Sequence, residues 1–463
     1  MENLKEKIKE YVDSHTDEMI DVLKDLISYR SVKQPAADGM PFGKGAADVL
    51  AEWMKICRGY GFSVRNFDNY AAHADLNGDI AVNSDIALGI LCHLDVVPEG
   101  SGWSSDPYKA EIRDGKIFGR GAIDDKGPAV AALFAMRCVS ELGIPLSGGV
   151  RLITGCDEEN GSSDLEYYLT KEKFPPMLVT PDGNYPVING EKGMIRLAFS
   201  APVSADIIGL SGGNAVNAVP EYCKAVVGNV SVPSAESLSA EYPGTEFEVG
   251  SSDGSTVISV KGLCAHASTP EKGINAVTAM ISALDGICND KTLSALKKLF
   301  PFGETNGRSL GLEISDEISG GLTALFSVVN VENGVLSGKA DIRYPVKFTL
   351  KEVSDKLISA FENEGFTTEI ILGEEPHYVD ENSAFIRTLL ETYTDITGNE
   401  AYCESIGGGT YVHDTENGVA FGAEFPGEDN HMHGADEFIT VESLRLNTEI
   451  YANAIVNLLR KDK

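Results

Sequence analysis

Residues 85–98 read DIALGILCHLDVVP, an apolar run that is interrupted by two polar side chains, His93 and Asp95. The run up to Cys92 is almost continuously apolar, which is typical of a strand covered on both faces of a sheet. Because side chains alternate faces along a strand, His93 and Asp95 are expected on one face at its carboxyl end. Open α/β sheets bind their ligands at that end. Alternatively, the pair only closes a turn before Pro98.

The composition of the chain limits its class. Its 463 residues, 43% of them hydrophobic, are enough to bury a large core and to form two domains or one domain with a large insertion. The net charge of −32 argues against binding to nucleic acid or to anionic membranes. The eight cysteines form no C-x-x-C pair and several lie in apolar runs, which indicates buried free thiols in a reducing compartment. No signal-peptide core or membrane-length apolar run is present, so we predict a cytoplasmic protein.

The pattern of strands and helices changes twice along the chain. Residues 1–189 alternate strands and helices, which predicts the first part of an α/β layered domain. Residues 190–375 carry short alternating strands with two helices and predict an α+β unit. Residues 376–463 are predicted to return to the first domain. Helical patterns cover residues 2–29, 45–60, 127–143, 275–289 and 350–364, and Asp114-Gly115 predicts a hairpin turn.

Acidic and imidazole side chains end or follow several predicted strands. Besides His93 and Asp95 they are Asp124 in GRGAIDDKG, Glu158 and Glu159 in GCDEENG, Asp182 in TPDG and His433 in HMHGADE. Imidazole nitrogen and carboxylate oxygen are the ligands of hydrolytic zinc centres, whereas structural zinc sites are rich in thiolates. Two histidines and three carboxylates are enough for two ions that share a carboxylate. The set therefore predicts a metal site.

Each of these residues also has a local structural interpretation. Asp124 could cap the helix that follows it, and Asp182 could be a turn residue before Gly183. Glu158 and Glu159 could be solvated loop carboxylates, and His433 could belong to a flexible loop with His431. Metal ligation is favoured because the five sites occur together.

These segments resemble the co-catalytic zinc peptidase family that includes aminoacylase, carboxypeptidase G and bacterial dipeptidase V. The matching motifs, in the family's order, are HLDVVP, GRGAIDDKGP, DEENGS, PDGNYPV, NAVP, HASTPEKGINA, DIRYP and GGGTY. The segment between INGEKG and PHYVD is most similar to dipeptidase V. The resemblance implies an α/β/α catalytic domain of the zinc-peptidase type with an inserted α+β lid domain, which is long enough to be a doubled unit.

The resemblance also implies a role for each site residue. His93 and Asp182 would hold one zinc, Glu159 and His433 the other, and Asp124 would bridge both. Asp95 would support His93 by accepting its ring N–H. Glu158 would be the general base that takes a proton from a metal-activated bridging water. The peptide bond between Asp124 and Asp125 would be cis.

The lid residues are implied to act on the substrate. His266 would stabilise the oxyanion, while Asn217 and Arg343 would grip the substrate's carbonyl and carboxylate. Each of the three has a structural alternative as a capping or core residue. Gly409 and Thr410, in GGGTY, would form a backbone nest for an anion or only a tight turn.

One departure from the family follows GGGTY, where a small residue and Arg are usual but Val412 and His413 stand here. This departure leaves the substrate preference at that edge open.

The resemblance as a whole implies a monomeric dipeptidase that uses two Zn²⁺ per chain, with Mn²⁺ or Co²⁺ as replacements. Its substrate would be a small peptide with a free C-terminal carboxylate. Two alternatives stay open from the sequence: an N-acyl amino acid deacylase with the same centre, and a non-catalytic protein that binds divalent cations. The unligated Glu158 argues against the latter, because a metal buffer needs no general base.

Overall fold

The computed structural model describes residues 2–76, 85–228, 230–252 and 254–460. The chain forms two compact units. The first unit comprises Met1–Asn189, Tyr378–Glu404 and Thr410–Lys463, and the second comprises Gly190–His377 and Ser405–Gly409.

The described residues form helices and strands in the following order. The helices are α1 (Glu2–Ser14), α2 (Thr16–Ile27), α3 (Lys44–Gly59), α4 (Lys126–Glu141), α5 (Ser163–Leu169), α6 (Ala235–Glu241), α7 (Ala276–Cys288), α8 (Lys291–Leu299), α9 (Leu350–Asn363), α10 (Ala384–Thr397) and α11 (Val441–Leu459). The strands are β1 (Ser63–Phe67), β2 (Ala71–Leu76), β3 (Ile86–His93), β4 (Glu111–Arg113), β5 (Lys116–Phe118), β6 (Gly149–Gly155), β7 (Met177–Thr180), β8 (Val187–Glu191), β9 (Gly193–Pro202), β10 (Ile207–Gly212), β11 (Tyr222–Val227), β12 (Glu246–Ser252), β13 (Ser255–Lys261), β14 (Ser315–Asp316), β15 (Gly320–Gly321), β16 (Thr323–Glu332), β17 (Val335–Tyr344), β18 (Thr367–Glu374), β19 (His377–Tyr378), β20 (Cys403–Ile406), β21 (Gly418–Ala420) and β22 (Phe438–Thr440). Short 3₁₀ turns cover Glu158–Asn160, Pro270–Lys272 and Arg308–Leu310.

The first unit is built on a sheet with the order β1-β2-β6-β3-β7-β21-β8-β19, and β20 also pairs with β8. The four central strands, β6, β3, β7 and β21, are parallel to one another. Their carboxyl ends therefore meet at one edge of the sheet. Polar residues that follow these strands are brought together there.

Helices cover both faces of this sheet. On one face, Ile90 and Leu152 pack into the large core that α1, α2, α3, α4, α10 and α11 share. On the other face, Leu91 and Ile153 pack into a smaller cluster with Leu165 of α5. The alternation of neighbouring residues between the two cores follows from the period of two along a strand. The arrangement is an α/β/α sandwich.

The second unit is built on an eight-stranded antiparallel sheet with the order β12-β13-β11-β10-β16-β17-β9-β18. Its helices α6, α7, α8 and α9 pack into a separate hydrophobic core with the sheet. Together the two units confirm the predicted fold class of an α/β/α domain with an inserted α+β unit.

Of two local predictions, the hairpin turn was confirmed and the single helix over residues 2–29 was not. The helix expected over residues 2–29 is two helices interrupted at His15, where the Thr16 hydroxyl donates to the Val12 carbonyl and competes with the helical bonding. Asp114 and Gly115 form the predicted hairpin turn, with φ angles of 50° and 74°.

The eight cysteines are free thiols, as predicted, and six of them are buried. The prediction of burial is wrong for Cys264, which is exposed, and Cys403 is half-buried. Within the described ranges, no helix is both long enough and apolar enough to span a membrane.

Candidate metal centre

Three adjacent parallel strands place the predicted ligands. β3 ends at His93, β6 is followed by the turn that carries Glu158 and Glu159, and β7 is followed by Asp182. Asp124 lies just before α4, and His433 lies in the loop that precedes β22. The edge where the parallel strands end therefore collects the residues that the sequence singled out.

The side chains form two ligand groups that share one carboxylate. The first ligand group is His93, Asp124 and Asp182, and the second ligand group is Asp124, Glu159 and His433. In the first, His93 Nε2 lies 2.9 Å from Asp124 Oδ1 and 3.8 Å from Asp182 Oδ2. In the second, His433 Nε2 lies 2.7 Å from Asp124 Oδ2 and 3.4 Å from Glu159 Oε2. Asp124 thus presents a different oxygen to each group.

The donor atoms fit metal ions. His93 Nε2 is buried and makes no hydrogen bond of acceptable geometry, although Asp124 Oδ1 is 2.9 Å away. A buried imidazole nitrogen that faces carboxylate oxygens without a hydrogen bond is suited to a cation. Nitrogen and oxygen donors are also what Zn²⁺ accepts in hydrolytic sites.

The electrostatics of the cluster also favour cations. Burial, followed by repulsion from Asp182, raises the pKa of Glu158 well above its usual value. Burial and the Asp124 carboxylate raise the pKa of Asp182 to about 7. For Asp124, burial acts upward, but the neighbouring imidazoles of His433 and His93 shift the pKa downward overall. Repulsion among carboxylates at one site is relieved by bound divalent cations.

The role of Asp95 differs from the prediction. Because β3 ends at His93, Asp95 lies beyond the strand, and its backbone carbonyl accepts the hydrogen bond from His93 Nδ1 at 3.0 Å. Its carboxylate oxygen is farther from that nitrogen, at 3.4 Å. Instead, the two carboxylate oxygens accept the backbone N–H groups of Glu158 and Glu159, each at 3.2 Å. Asp95 therefore orients the turn with both glutamates as well as the imidazole.

Asp125 is a supporting residue that the sequence reasoning missed. It is fully buried, and its Oδ2 accepts the backbone N–H of His93 at 3.1 Å. Asp125, and not Asp124, is the residue before α4, and its side chain makes no capping bond. The capping alternative for Asp124 is therefore wrong. The Asp124–Asp125 peptide bond is cis, as the resemblance implied.

A second missed pair supports the turn after β6. Asp164 Oδ2 accepts hydrogen bonds from the backbone of Cys156 and Asp157, at 2.6 and 2.7 Å, and from the Tyr411 hydroxyl at 2.7 Å. The Tyr411 ring also packs edge-on against the imidazole of His93, with centroids 5.9 Å apart. Tyr411 was visible in the sequence only as the end of the GGGTY motif.

His433 and His431 lie in the same loop but make different contacts. His433 is in a ligand group, whereas the backbone N–H of His431 donates to Asp429 and its ring packs against Phe438. The His433 side chain is 53% exposed, in contrast to the fully buried His93. The second ligand group is therefore the more open of the two.

The residues predicted to bind substrate lie mainly in the second unit. His266 and Asn217 are exposed and adjacent, because Ala267 N donates to the Asn217 carbonyl at 2.9 Å. The His266 ring nitrogen Nδ1 lies 2.7 Å from the Ser268 hydroxyl. Arg343 is buried, and its guanidinium donates to both Asp341 oxygens and to the Gly407 carbonyl.

The GGGTY segment divides between the units. Gly409 is the last residue assigned to the second unit, and Thr410 belongs to the first. Thr410 begins a turn, in which its carbonyl accepts the N–H of His413 at 3.0 Å. Val412, one of the two departures from the family pattern, is fully buried.

Comparison with known proteins identifies the family. Residues 89–457 match the model of Peptidase family M20/M25/M40. This chain belongs to that family. The Beta-Ala-Xaa dipeptidase of Lactobacillus delbrueckii subsp. lactis is 32% identical over 484 residues, which cover 98% of this chain and 99% of the relative.

Two solved structures of dipeptidases share its fold. Human carnosine dipeptidase 1 superposes with a TM-score of 0.62 at 16% identity, covering 98% of each chain. The aminoacylhistidine dipeptidase of Vibrio alginolyticus gives a TM-score of 0.59 at 14% identity, covering 96% of this chain and 97% of the other. The family resemblance and the expectation of a hydrolytic metallopeptidase are confirmed.

Proposed function

We propose that this M20/M25/M40 peptidase hydrolyses dipeptides that carry a free C-terminal carboxylate, with two divalent cations held by the two ligand groups. The observation that carries the proposal is the placement of Asp124, whose Oδ1 faces His93 and whose Oδ2 faces His433. One carboxylate between two imidazole-containing groups is suited to a pair of ions and not to a single one. The names of the relatives support dipeptides as the substrate class.

Zn²⁺ is the proposed metal, because two imidazoles and three carboxylates without thiolates are typical of hydrolytic zinc. Mn²⁺ and Co²⁺ accept the same donors. Bound in pairs, such cations supply Lewis acidity toward water and toward the scissile carbonyl.

Glu158 is proposed as the general base. It belongs to neither ligand group, so its carboxylate is available to accept a proton from the attacking water and to deliver it to the leaving nitrogen as the C–N bond breaks. Its backbone N–H is bonded to Asp95, while the neighbouring Glu159 faces His433. Two adjacent glutamates on one short turn thus take separate tasks.

The second unit is proposed to bind the substrate. His266 would donate to the carbonyl oxygen as negative charge develops there, and the adjacent Asn217 would bind the same end of the substrate. Arg343 has five N–H donors, and Asp341 and Gly407 engage three of them. The remaining donors would bind the substrate's carboxylate, while Gly409 and Thr410 would offer backbone groups to it.

The size of the second unit supports a monomer. The segment from Gly190 to His377 is well above the about 100 residues that suffice for a domain. We propose that it provides the substrate contacts from the same chain and accepts two residues of substrate. A tetrapeptide is longer by about 7 Å, since each extended residue adds about 3.3–3.6 Å.

The test is metal content combined with turnover. Purified protein would be loaded with Zn²⁺, Mn²⁺ or Co²⁺ and assayed on dipeptides, including β-alanyl ones, on tetrapeptides and on N-acetyl amino acids. We expect two ions per chain, turnover of dipeptides and little turnover of tetrapeptides. Preferred cleavage of N-acetyl amino acids would make the protein a deacylase. Binding of two ions without any turnover would leave only a cation-binding protein. Sedimentation showing an obligate dimer would contradict the monomer.

A further inference from the structure

A buried ion pair lies behind the second ligand group. Arg120 follows β5, and Glu437 immediately precedes β22. Their side chains are 1% and 0% exposed, and Arg120 Nη1 donates to Glu437 Oε2. Burying two charges is costly unless each is paired and further hydrogen-bonded. The other hydrogen bonds of Arg120 and Glu437 therefore show which backbone segments this pair holds.

Glu437 contacts the backbone that leads into the shared ligand. Its Oε1 accepts the N–H of Ile123 at 3.1 Å and the N–H of Asp124 at 3.4 Å. Its own carbonyl accepts the N–H of Gly119 at 2.9 Å. One glutamate thus fixes the segment from Gly119 to Asp124 at both ends.

Arg120 contacts the loop that carries the exposed histidine ligand. Its Nη2 lies 3.3 Å from the carbonyl oxygen of His433 and 3.1 Å from that of Gly434. The same nitrogen lies 3.5 and 3.4 Å from the carbonyls of Pro98 and Glu99, in the loop after β3. The planar guanidinium can reach several carbonyls at once, which a lysine ammonium on a flexible stem cannot reproduce.

The first ligand group is supported differently. The backbone of His93 is held by Asp125, and its ring by the carbonyl of Asp95. The His433 side chain, in contrast, is about half exposed. The buried pair therefore holds the backbone next to His433, whose side chain is less enclosed than that of His93.

We infer that Arg120 and Glu437 are positioning residues that hold Asp124 and His433 at the distance needed to bind the cation of the second ligand group. This inference rests on the proposed two-metal function. Residues that orient metal ligands change metal affinity by about 10- to 100-fold when they are replaced. For Arg120 the effect is expected to be selective, because its hydrogen bonds reach the carbonyls of His433 and Gly434 but neither His93 nor Asp182. Glu437 bonds the backbone of Asp124, which both ligand groups share, so its replacement is expected to weaken both ions.

The test compares Arg120→Lys and Glu437→Gln with a matched control. Both variants keep the approximate size of the side chain. Arg120→Lys loses the planar guanidinium with its several N–H donors, and Glu437→Gln loses the negative charge of the carboxylate. The control is Arg151→Lys, since Arg151 makes a two-pronged ion pair with Asp75 at 2.7 and 2.8 Å elsewhere in the first unit. Each protein would be stripped with a chelator and titrated with Zn²⁺ against a chromophoric competitor, and its thermal unfolding measured with and without Zn²⁺.

We expect wild-type protein and Arg151→Lys to bind two ions. Arg120→Lys should retain one ion with wild-type affinity and bind the other about 10- to 100-fold more weakly, whereas Glu437→Gln should bind both ions more weakly. The unfolding temperature of both variants without Zn²⁺ should fall, because each change weakens a buried ion pair. The rise in unfolding temperature on adding Zn²⁺ should be smaller than that of the control.

The inference fails if both affinities stay within twofold of wild type in both variants, or if Arg120→Lys weakens the two ions equally. If either variant does not fold, the other decides. A wild-type protein that binds fewer than two ions would overturn the proposed function instead, before the variants are compared.

Discussion

In the first unit, His93 and Asp95 are fully buried and Asp124 is 5% exposed, whereas in the second unit His266 and Asn217 are exposed. The difference agrees with the proposed roles of the two sets, metal binding and substrate binding. Metal ligands need fixed positions, so packing and hydrogen bonds hold them in place. Residues that meet an exchanging substrate must be open to solvent. Two residues are exceptions: Arg343 is in the second unit and yet is buried, and His433 is in the first unit and yet is 53% exposed.

Replacing Asp124, the shared ligand of the buried set, should have the largest effect on metal content and turnover. Asp124→Asn offers a single oxygen and an NH₂ group, so it cannot provide an oxygen to both ligand groups. We expect loss of both ions and a fall in dipeptide turnover of at least about 10³-fold, beyond the 10- to 100-fold typical of a residue that only supports a ligand. Metal analysis and steady-state kinetics measure both.

The matched control is Asp114→Asn in the exposed β4–β5 turn, which should change neither metal content nor turnover. Two ions bound with normal affinity in Asp124→Asn would show that the buried site of the first unit does not depend on a shared carboxylate.

Removing the proposed base separates chemistry from metal binding within the first unit. Glu158→Gln keeps the size of the side chain and all five ligands, so metal content should stay at the wild-type level. Turnover should fall by about 10²- to 10⁴-fold, the usual contribution of general acid–base catalysis. Glu166→Gln, at an exposed position of α5, is the control and should behave as wild type. Normal turnover in Glu158→Gln would remove this residue from the mechanism.

His266 tests whether the second unit takes part in the chemistry. Ser268 occupies Nδ1, so Nε2 is the nitrogen that would donate to the substrate. His266→Ala should lower kcat by about 10²- to 10³-fold, as loss of one oxyanion donor does. His266→Gln keeps a donor and should recover part of that loss. A change in KM alone would restrict the second unit to substrate binding.

Arg343→Lys should have the smallest effect. The lysine keeps the charge but cannot donate to both Asp341 oxygens and to Gly407, so the KM for dipeptides should rise about tenfold, with unchanged metal content. Arg308→Lys, in an exposed two-pronged pair with Glu313 of the same unit, is the control and should leave KM unchanged. A lower unfolding temperature with a normal KM would make Arg343 purely structural.

Much of the fold could be predicted from local patterns. The apolar run before His93 is β3, and the helical pattern over residues 127–143 is α4, shifted by one or two residues. The Asp-Gly pair gave the hairpin because both positions need positive φ angles. The predicted helix over residues 2–29 was wrong at His15, where side-chain hydroxyls bond the backbone. Periodicity alone does not register such competition.

Most of the candidate ligands could be proposed from the sequence because they end or follow a recognisable strand or precede a helix, and His433 because its motif resembles that of the family. Their supporting partners could not. Arg120 pairs with Glu437 across 317 positions, and Tyr411 with Asp164 across 247. For Arg120 and Glu437 the only sequence signal was a charge inside a motif that was assigned to a ligand, GRGAIDDKG and HMHGADE.

The sequence by itself determined which residue types stand at strand ends and which segments are strands or helices, because these depend on the side-chain period and on local hydrogen bonding. Only the tertiary structure decided that Asp124 divides its two oxygens between ligand groups, that the Asp95 carboxylate holds the glutamate turn, and that Asp341 engages the fork of Arg343. The reason is that sub-ångström placement and burial arise when distant segments pack, and no single segment encodes those distances.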